Sequence, residues 1–164
     1  MAHIEKSTEL DVPVRTAYNQ WTQFEEFPQF MEGVESVTQM DDTRLHWVAE
    51  IGGRRKEWEA RITEQRPDER VAWTSETGTY NAGTARFEPV GADRTRLTLE
   101  IEYTPENVVE GIGDMLGFLD RQVEGDLRRF KEFIETRGQE TGAWRGEVSG
   151  GREVSGGSHG GASV

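Results

Sequence analysis

Many groups in this chain could move protons, but their placement excludes most of the chemistry they could do. Glutamates recur at two-residue spacing, Glu57 with Glu59 and Glu100 with Glu102, and paired carboxylates are the raw material of general acid–base catalysis. The alternation of their own stretches sets them opposite the apolar side chains. They therefore face water, where nothing desolvates a carboxyl and raises its pKa. His46 falls on the same wet side, and His3, His46 and His159 lie far apart with no HExxH-type pair to hold a metal. Arg61 and Arg86 also point outward by parity. A bulge would invert the phase of a strand beyond it, which keeps Arg86 as a weak catalytic candidate beside the phenols of Tyr80 and Tyr103. The run Gly111-Ile112-Gly113-Asp114-Met115-Leu116-Gly117 imitates a dinucleotide-binding loop, but its third glycine is one residue late and its apolar positions fit a helix instead. No Gly-x-Ser-x-Gly elbow occurs, and Arg54-Arg55-Lys56 reads as a solvated turn. With no cysteine, disulfides, zinc–thiolate sites and thiol catalysis drop out together.

The elements that must position these groups are unusually legible. Ile4 to Leu10 reads as a strand ended by Pro13, and Val14 to Thr22 then carries helical spacing, with Val14, Ala17, Tyr18 and Trp21 on one face. A second short helical segment spans Phe24 to Met31. Six strands follow: Val34 to Met40, Leu45 to Ile51, Lys56 to Glu64, Val71 to Thr77, Gly83 to Pro89 and Arg96 to Tyr103. Gly52-Gly53 suits a two-residue hairpin loop. One phase of these strands is apolar: Leu45, Trp47, Ala49 and Ile51; Trp58, Ala60 and Ile62; Val71, Trp73 and Ser75; Ala85 and Phe87; Leu97, Leu99, Ile101 and Tyr103. A sheet with one dry face must cover it. The cover is a helical pattern from Glu106 to Arg137, with Val108, Ile112, Met115, Leu116, Leu119, Val123, Leu127, Phe130 and Ile134 at three- and four-residue spacing. At 1.5 Å per residue that helix would span on the order of 45 Å. Gly111, Gly113 and Gly117 weaken its first half, leaving two readings of that segment: a gate over the sheet, or an irregular connector before a helix that starts near Leu119. The fold class expected is α+β, a curved antiparallel sheet of about seven strands with two short helices and a long C-terminal helix over its concave face.

Residues 138–164 differ in kind. They hold nine of the 19 glycines, and Glu147-Val148-Ser149-Gly150-Gly151 recurs as Glu153-Val154-Ser155-Gly156-Gly157. So little apolar surface offsets ordering entropy poorly, and this stretch reads as a disordered tail behind a domain at 1–137. The chain carries a formal net charge of −12, and the five charges of the tail contribute −1 of it, so the acidity belongs to the domain. A field of that sign disfavours nucleic acid and anionic lipid surfaces. The first residues lack the basic and apolar regions of a signal peptide, and no apolar run approaches membrane-spanning length, so a cytoplasmic protein is expected.

The order strand, two short helices, six strands and long helix resembles the helix-grip fold of the START-like (SRPBCC) superfamily. Particular stretches are similar to its bacterial polyketide cyclase/dehydrase and coenzyme Q-binding branch: Asp11-Val12-Pro13-Val14, Trp21-Thr22-Gln23-Phe24-Glu25-Glu26-Phe27-Pro28-Gln29-Phe30-Met31 and His46-Trp47-Val48-Ala49-Glu50-Ile51-Gly52-Gly53. Glu57-Trp58, Ala72-Trp73 and the run from Asp126-Leu127 to Phe130-Lys131 fit the same resemblance, which covers residues 1–137. It implies an elongated cavity between sheet and long helix for a small hydrophobic ligand, lipid-like or polycyclic, without a cofactor. The residues expected to line it are Trp47, Trp58, Trp73, Ser75, Tyr103, Ile112, Met115, Leu116 and Leu119. The bulky rings would form walls where Ala49, Ala60, Ser75 and Ala85 leave space; the alternative is that the rings simply fill the core. Binding or transport is the leading expectation. A cyclase/dehydrase-type enzyme and an accessory or stress-related interaction protein without a small ligand are the alternatives.

Overall fold

The computed structural model describes residues 2–51, 53–78, 80–104 and 112–155, with the side chains of residues 2, 51, 112–116 and 155 outside the description. Strand β1 (Ala2–Leu10) leads into helix α1 (Val14–Trp21) and a short 3-10 helix (Phe24–Gln29). Six strands come next: β2 (Val34–Gln39), β3 (Arg44–Ile51), β4 (Arg54–Arg66), β5 (Arg70–Ser75), β6 (Asn81–Gly91) and β7 (Arg94–Tyr103). Helix α2 (Ile112–Arg137) and a terminal hairpin of β8 (Glu147–Ser149) and β9 (Arg152–Ser155) complete the described chain. The main sheet runs β1-β7-β6-β5-β4-β3-β2 with every neighbour antiparallel. Only β1 leaves sequence order, because α1 and the 3-10 helix carry the chain across the sheet from one edge to the other. This is the helix-grip α+β architecture that the alternation predicts, with nine strands rather than about seven.

The dry phase is buried as the two-residue period requires: Leu45, Ala60, Ile62, Val71, Ala85 and Leu97 are all sealed from solvent. Val48, on the opposite phase of β3, is buried as well. Half of the concave face is filled solidly. Trp21 of α1 meets Phe27, Phe87 and Phe130 at ring-centroid distances of 5.1, 6.2 and 5.2 Å, and Phe30 meets Phe130 at 5.0 Å. Helix α2 lays Val123, Leu127, Phe130 and Ile134 on this core, each worth roughly 1.5–3 kcal/mol when fully buried. Its helical backbone begins by Ile112, earlier than Leu119, and takes in Gly113 and Gly117.

The departure from strict alternation in β4 has a local cause. A bulge between Ile62 and Glu64 in β4 inverts the phase, so Gln65 turns into the core while Glu64 faces out to pair with Arg70 at 3.3 Å. Beyond that bulge β4 has outrun its partner β3, whose pairing ends at Arg44 opposite Arg61. The vacated edge is taken by β8, with Glu64 opposite Ser149 and Gln65 opposite Val148.

That pairing corrects the expectation of a disordered tail for the residues up to Ser155. Gln20 and Thr141 exchange two hydrogen bonds: the Gln20 amide donates to Thr141 Oγ1 at 3.1 Å, and the Thr141 backbone N–H donates to Gln20 Oε1 at 2.8 Å. Arg145 pairs with Asp68 at 2.8 Å, donates to Asn19 Oδ1 at 2.6 Å and lies over the Tyr18 ring. Val148 is fully buried. The strap is thus held by polar clasps and one apolar plug, a mode of ordering that its low apolar content did not announce. Residues 156–164 lie outside the described structure.

Candidate functional site

Where the aromatic core stops, the concave face opens into a cavity of about 140 Å³ between the sheet and α2. Trp47 marks the boundary. Its ring meets Phe27 of the packed side at 5.7 Å and stacks on Trp58 at 5.8 Å, with only 5° between their planes. Register produces the stack, since Trp47 of β3 and Trp58 of β4 are cross-strand partners, and offset parallel packing is a favoured aromatic geometry. Their indole N–H groups are buried without a partner among the described residues, so the two rings contribute through stacking and apolar area alone.

The third tryptophan wall depends on a glycine. Trp73 of β5 is paired with Gly83 of β6, and a Cβ at Gly83 would lie 2.6 Å from Cε2 of the Trp73 ring. Only a residue without a side chain admits the ring there. Leu99, Ile101 and Tyr103 of β7 continue the wall, and Leu119, Gln122, Val123 and Asp126 of α2 close it from above. Gly33 plays the same part at the mouth: its Cβ would lie 2.8 Å from the Glu50 carbonyl oxygen and closer still to Gln122 Nε2.

The structure thus brings Trp47, Trp58, Trp73, Tyr103 and Leu119 together around one space. Ser75 is not among the described lining residues, and its Oγ accepts the Asn81 backbone N–H at 3.0 Å. Of the four small residues expected to leave room, only Ala49 reaches the cavity; Ala60 and Ala85 lie under the solid core. The side chains of Ile112, Met115 and Leu116 lie outside the described residues. Arg86 stays on the outer face, paired with Glu100 and with Glu5, because the irregularity in β6 falls between Pro89 and Gly91, beyond Arg86, and leaves its register with β5 and β7 unbroken. Tyr80 is exposed and donates outward to Glu102 at 3.4 Å.

The outer carboxylates behave as solvated groups should. Hydrogen bonds from His46 and Arg55 hold Glu57 below the usual carboxylate range, and Arg86 does the same for Glu100. These groups are held as anions, the opposite of what a general acid needs. The group of opposite character is Asp126. Burial pushes its carboxyl up to about 6, against the pull of the Arg129 guanidinium and of the Glu32 backbone N–H. Arg129 approaches Oδ1 at 2.6 Å and also donates to the Phe30 carbonyl at 2.8 Å, which ties the carboxylate to the segment preceding β2.

Asn81, a polar candidate at the end of the sheet, does line the cavity, but sequence reasoning did not name Gln122, Asp126 or Gly33 as site residues. A signal for two of them was present: Leu119, Gln122, Val123 and Asp126 stand at i, i+3, i+4 and i+7, so both polar residues belong to the apolar stripe of α2. Gly33 carries no such signal, since its role arises from the meeting of segments distant in sequence.

A curved antiparallel sheet gripping one long helix over an apolar hollow defines a START-type helix-grip protein. The chain belongs to the polyketide cyclase/dehydrase and lipid transport family, whose model matches residues 10–132. It is 56% identical over 149 residues to an uncharacterized 17.2 kDa protein of Streptomyces lincolnensis encoded in the melC2-rnhH intergenic region, covering 90% of this chain and 99% of that one. Its fold is similar to that of the ZhuI aromatase/cyclase of Streptomyces sp. R1128, with a TM-score of 0.72, 17% identity and coverage of 86% of this chain and 98% of that one. A START superfamily protein of Mycobacterium smegmatis superposes with a TM-score of 0.67 at 14% identity, over 84% of this chain and 97% of that one. No helix among the described residues is long and apolar enough to cross a membrane.

Proposed function

We propose that the protein binds or carries a small hydrophobic metabolite, lipid-like or polycyclic, in the cavity between the sheet and α2. The observation that supports this is the hollow itself: one half of the concave face is packed with aromatic rings, while the other half holds a space walled by Trp47, Trp58 and Trp73. Protein interiors normally close such gaps, because an unfilled apolar cavity forfeits contacts on every side. At about 140 Å³ it is smaller than the roughly 300–1,000 Å³ pockets of drug-sized ligands, and close to the 150 Å³ apolar cavity known to take a benzene ring. Within the class, that size favours a compact ring system over a long acyl chain. Native mass spectrometry of protein purified from its own host tests the reading. Retained small-molecule mass that is lost on Trp58→Ala supports it, and bare protein throughout favours an accessory role without a ligand.

A cyclase/dehydrase-type activity is the second reading, and a specific observation favours it. Tyr103 and Asp126 both line the cavity and supply a proton donor and an acceptor in a partly dry space. If Tyr103→Phe abolishes conversion of a retained ligand while leaving its affinity intact, the enzyme reading prevails.

A further inference from the structure

Resting on the cavity reading above, we propose that the preferred occupant is a neutral aromatic molecule carrying a hydrogen-bond donor such as a phenolic hydroxyl, that Asp126 accepts this hydrogen bond, and that carboxylate-bearing ligands are rejected. Three features of the wall carry the inference. First, the described lining residues include two carboxylates, Asp126 and Glu50, and no lysine, arginine or histidine. An anion entering this space meets charge of its own sign and, beside the neutral indole N–H groups of Trp47 and Trp58, no counter-charge on the wall, and desolvating it without one is costly.

Second, Asp126 is placed to receive. Its side chain is 14% exposed, and it occupies the same helix stripe as Leu119 and Val123, which cover the hollow. The Arg129 guanidinium and the Glu32 backbone N–H take two of its acceptor positions, and a carboxylate offers about four. Third, Arg129 is not itself on the cavity wall. It is committed to Asp126 and to the Phe30 carbonyl, so it orients the carboxylate and does not present a cation to the ligand. The arrangement is a largely apolar, ring-lined slot in which Asp126 is the carboxylate held in place by Arg129.

The test compares naphthalene, naphthol and naphthoate at pH 7.5, with affinities read from the indole N–H resonances of Trp47, Trp58 and Trp73. A hydrogen bond to a charged group predicts that naphthol binds roughly tenfold tighter than naphthalene, with naphthoate weakest of the three. In Asp126→Asn, naphthol falls toward the affinity of naphthalene, naphthalene itself is unchanged, and naphthoate gains. If naphthoate equals or exceeds naphthol, or naphthol does not exceed naphthalene, the donor assignment is overturned while the apolar cavity stands. If none of the three moves those resonances, the cavity reading fails and this one with it. Should Asp126→Asn fail to fold, the order of the three probes in the unsubstituted protein decides the matter alone.

Discussion

Trp47 and Trp58 stack across β3 and β4 with ring centroids 5.8 Å apart and planes 5° from parallel, and the stack stands at the line where the packed core gives way to the cavity. The two rings share one interaction but not one environment. Trp47 is 6% exposed and also meets Phe27, whereas Trp58 is only partly buried.

Trp47→Ala is therefore expected to cost about 3–5 kcal/mol of stability, as large aromatic truncations in cores do, and Trp58→Ala less than half of that. Urea unfolding of the two variants measures the difference. Equal losses would show that Trp47 is no more a core residue than its partner.

Gly83→Ala places a methyl group against the Trp73 ring, 2.6 Å from Cε2. The expected outcome is a loss of about 1–3 kcal/mol, together with displacement of the Trp73 indole resonance while that of Trp21 stays in place. A variant as stable as the parent would mean that Trp73 does not lie over Gly83 in solution.

Asp126 ties stability to pH. Its folded carboxyl titrates near 6, above its ordinary value of 3.8, because burial penalises the anion. Between those values the folded state holds more protons than the unfolded one, so the penalty is fully present above about pH 6 and fades as pH falls toward 4. Relative to Asp126→Asn, the unsubstituted protein should gain up to about 3 kcal/mol on going from pH 7 to pH 4. A stability difference independent of pH would place Asp126 in water.

Val148 is the apolar plug of the strap, fully buried where β8 pairs with β4. Val148→Asp should release residues 139–155 to proteolysis while the rest of the domain stays folded, because the 3-10 helix, α1 and α2 form the aromatic core without the strap. Loss of cooperative folding throughout would make the strap integral to the domain.

Much of this architecture was legible because the strands obey a period of two almost everywhere, from Leu45 to Tyr103. Legibility failed where one segment's conformation depends on another. The bulge at Thr63 that turns Gln65 inward has no signature in its own residues. The terminal hairpin was readable in principle: Gly150 and Gly151 both take positive φ, 62° and 78°, the conformation already inferred for Gly52-Gly53. Low apolar content outweighed that signal, yet β8 is held by the edge of β4 and by clasps on Asn19, Gln20 and Asp68, none of which shows in the tail itself. At the site, parity put Trp47, Trp58 and Trp73 on the inner face, and the family resemblance supplied the cavity they were expected to wall. Asp126 was passed over because polar residues on a covering helix are read as its outer face, although its spacing from Leu119 and Val123 put it inside.

The most direct test of the central claim follows the five indole N–H resonances of isotopically labelled protein during titration with naphthalene. Occupation of the hollow predicts saturable shifts at Trp47, Trp58 and Trp73, with Trp21 in the packed core and Trp144 on the strap unmoved. Shifts confined to Trp21 or Trp144, or no shift up to the solubility limit of the probe, would contradict it.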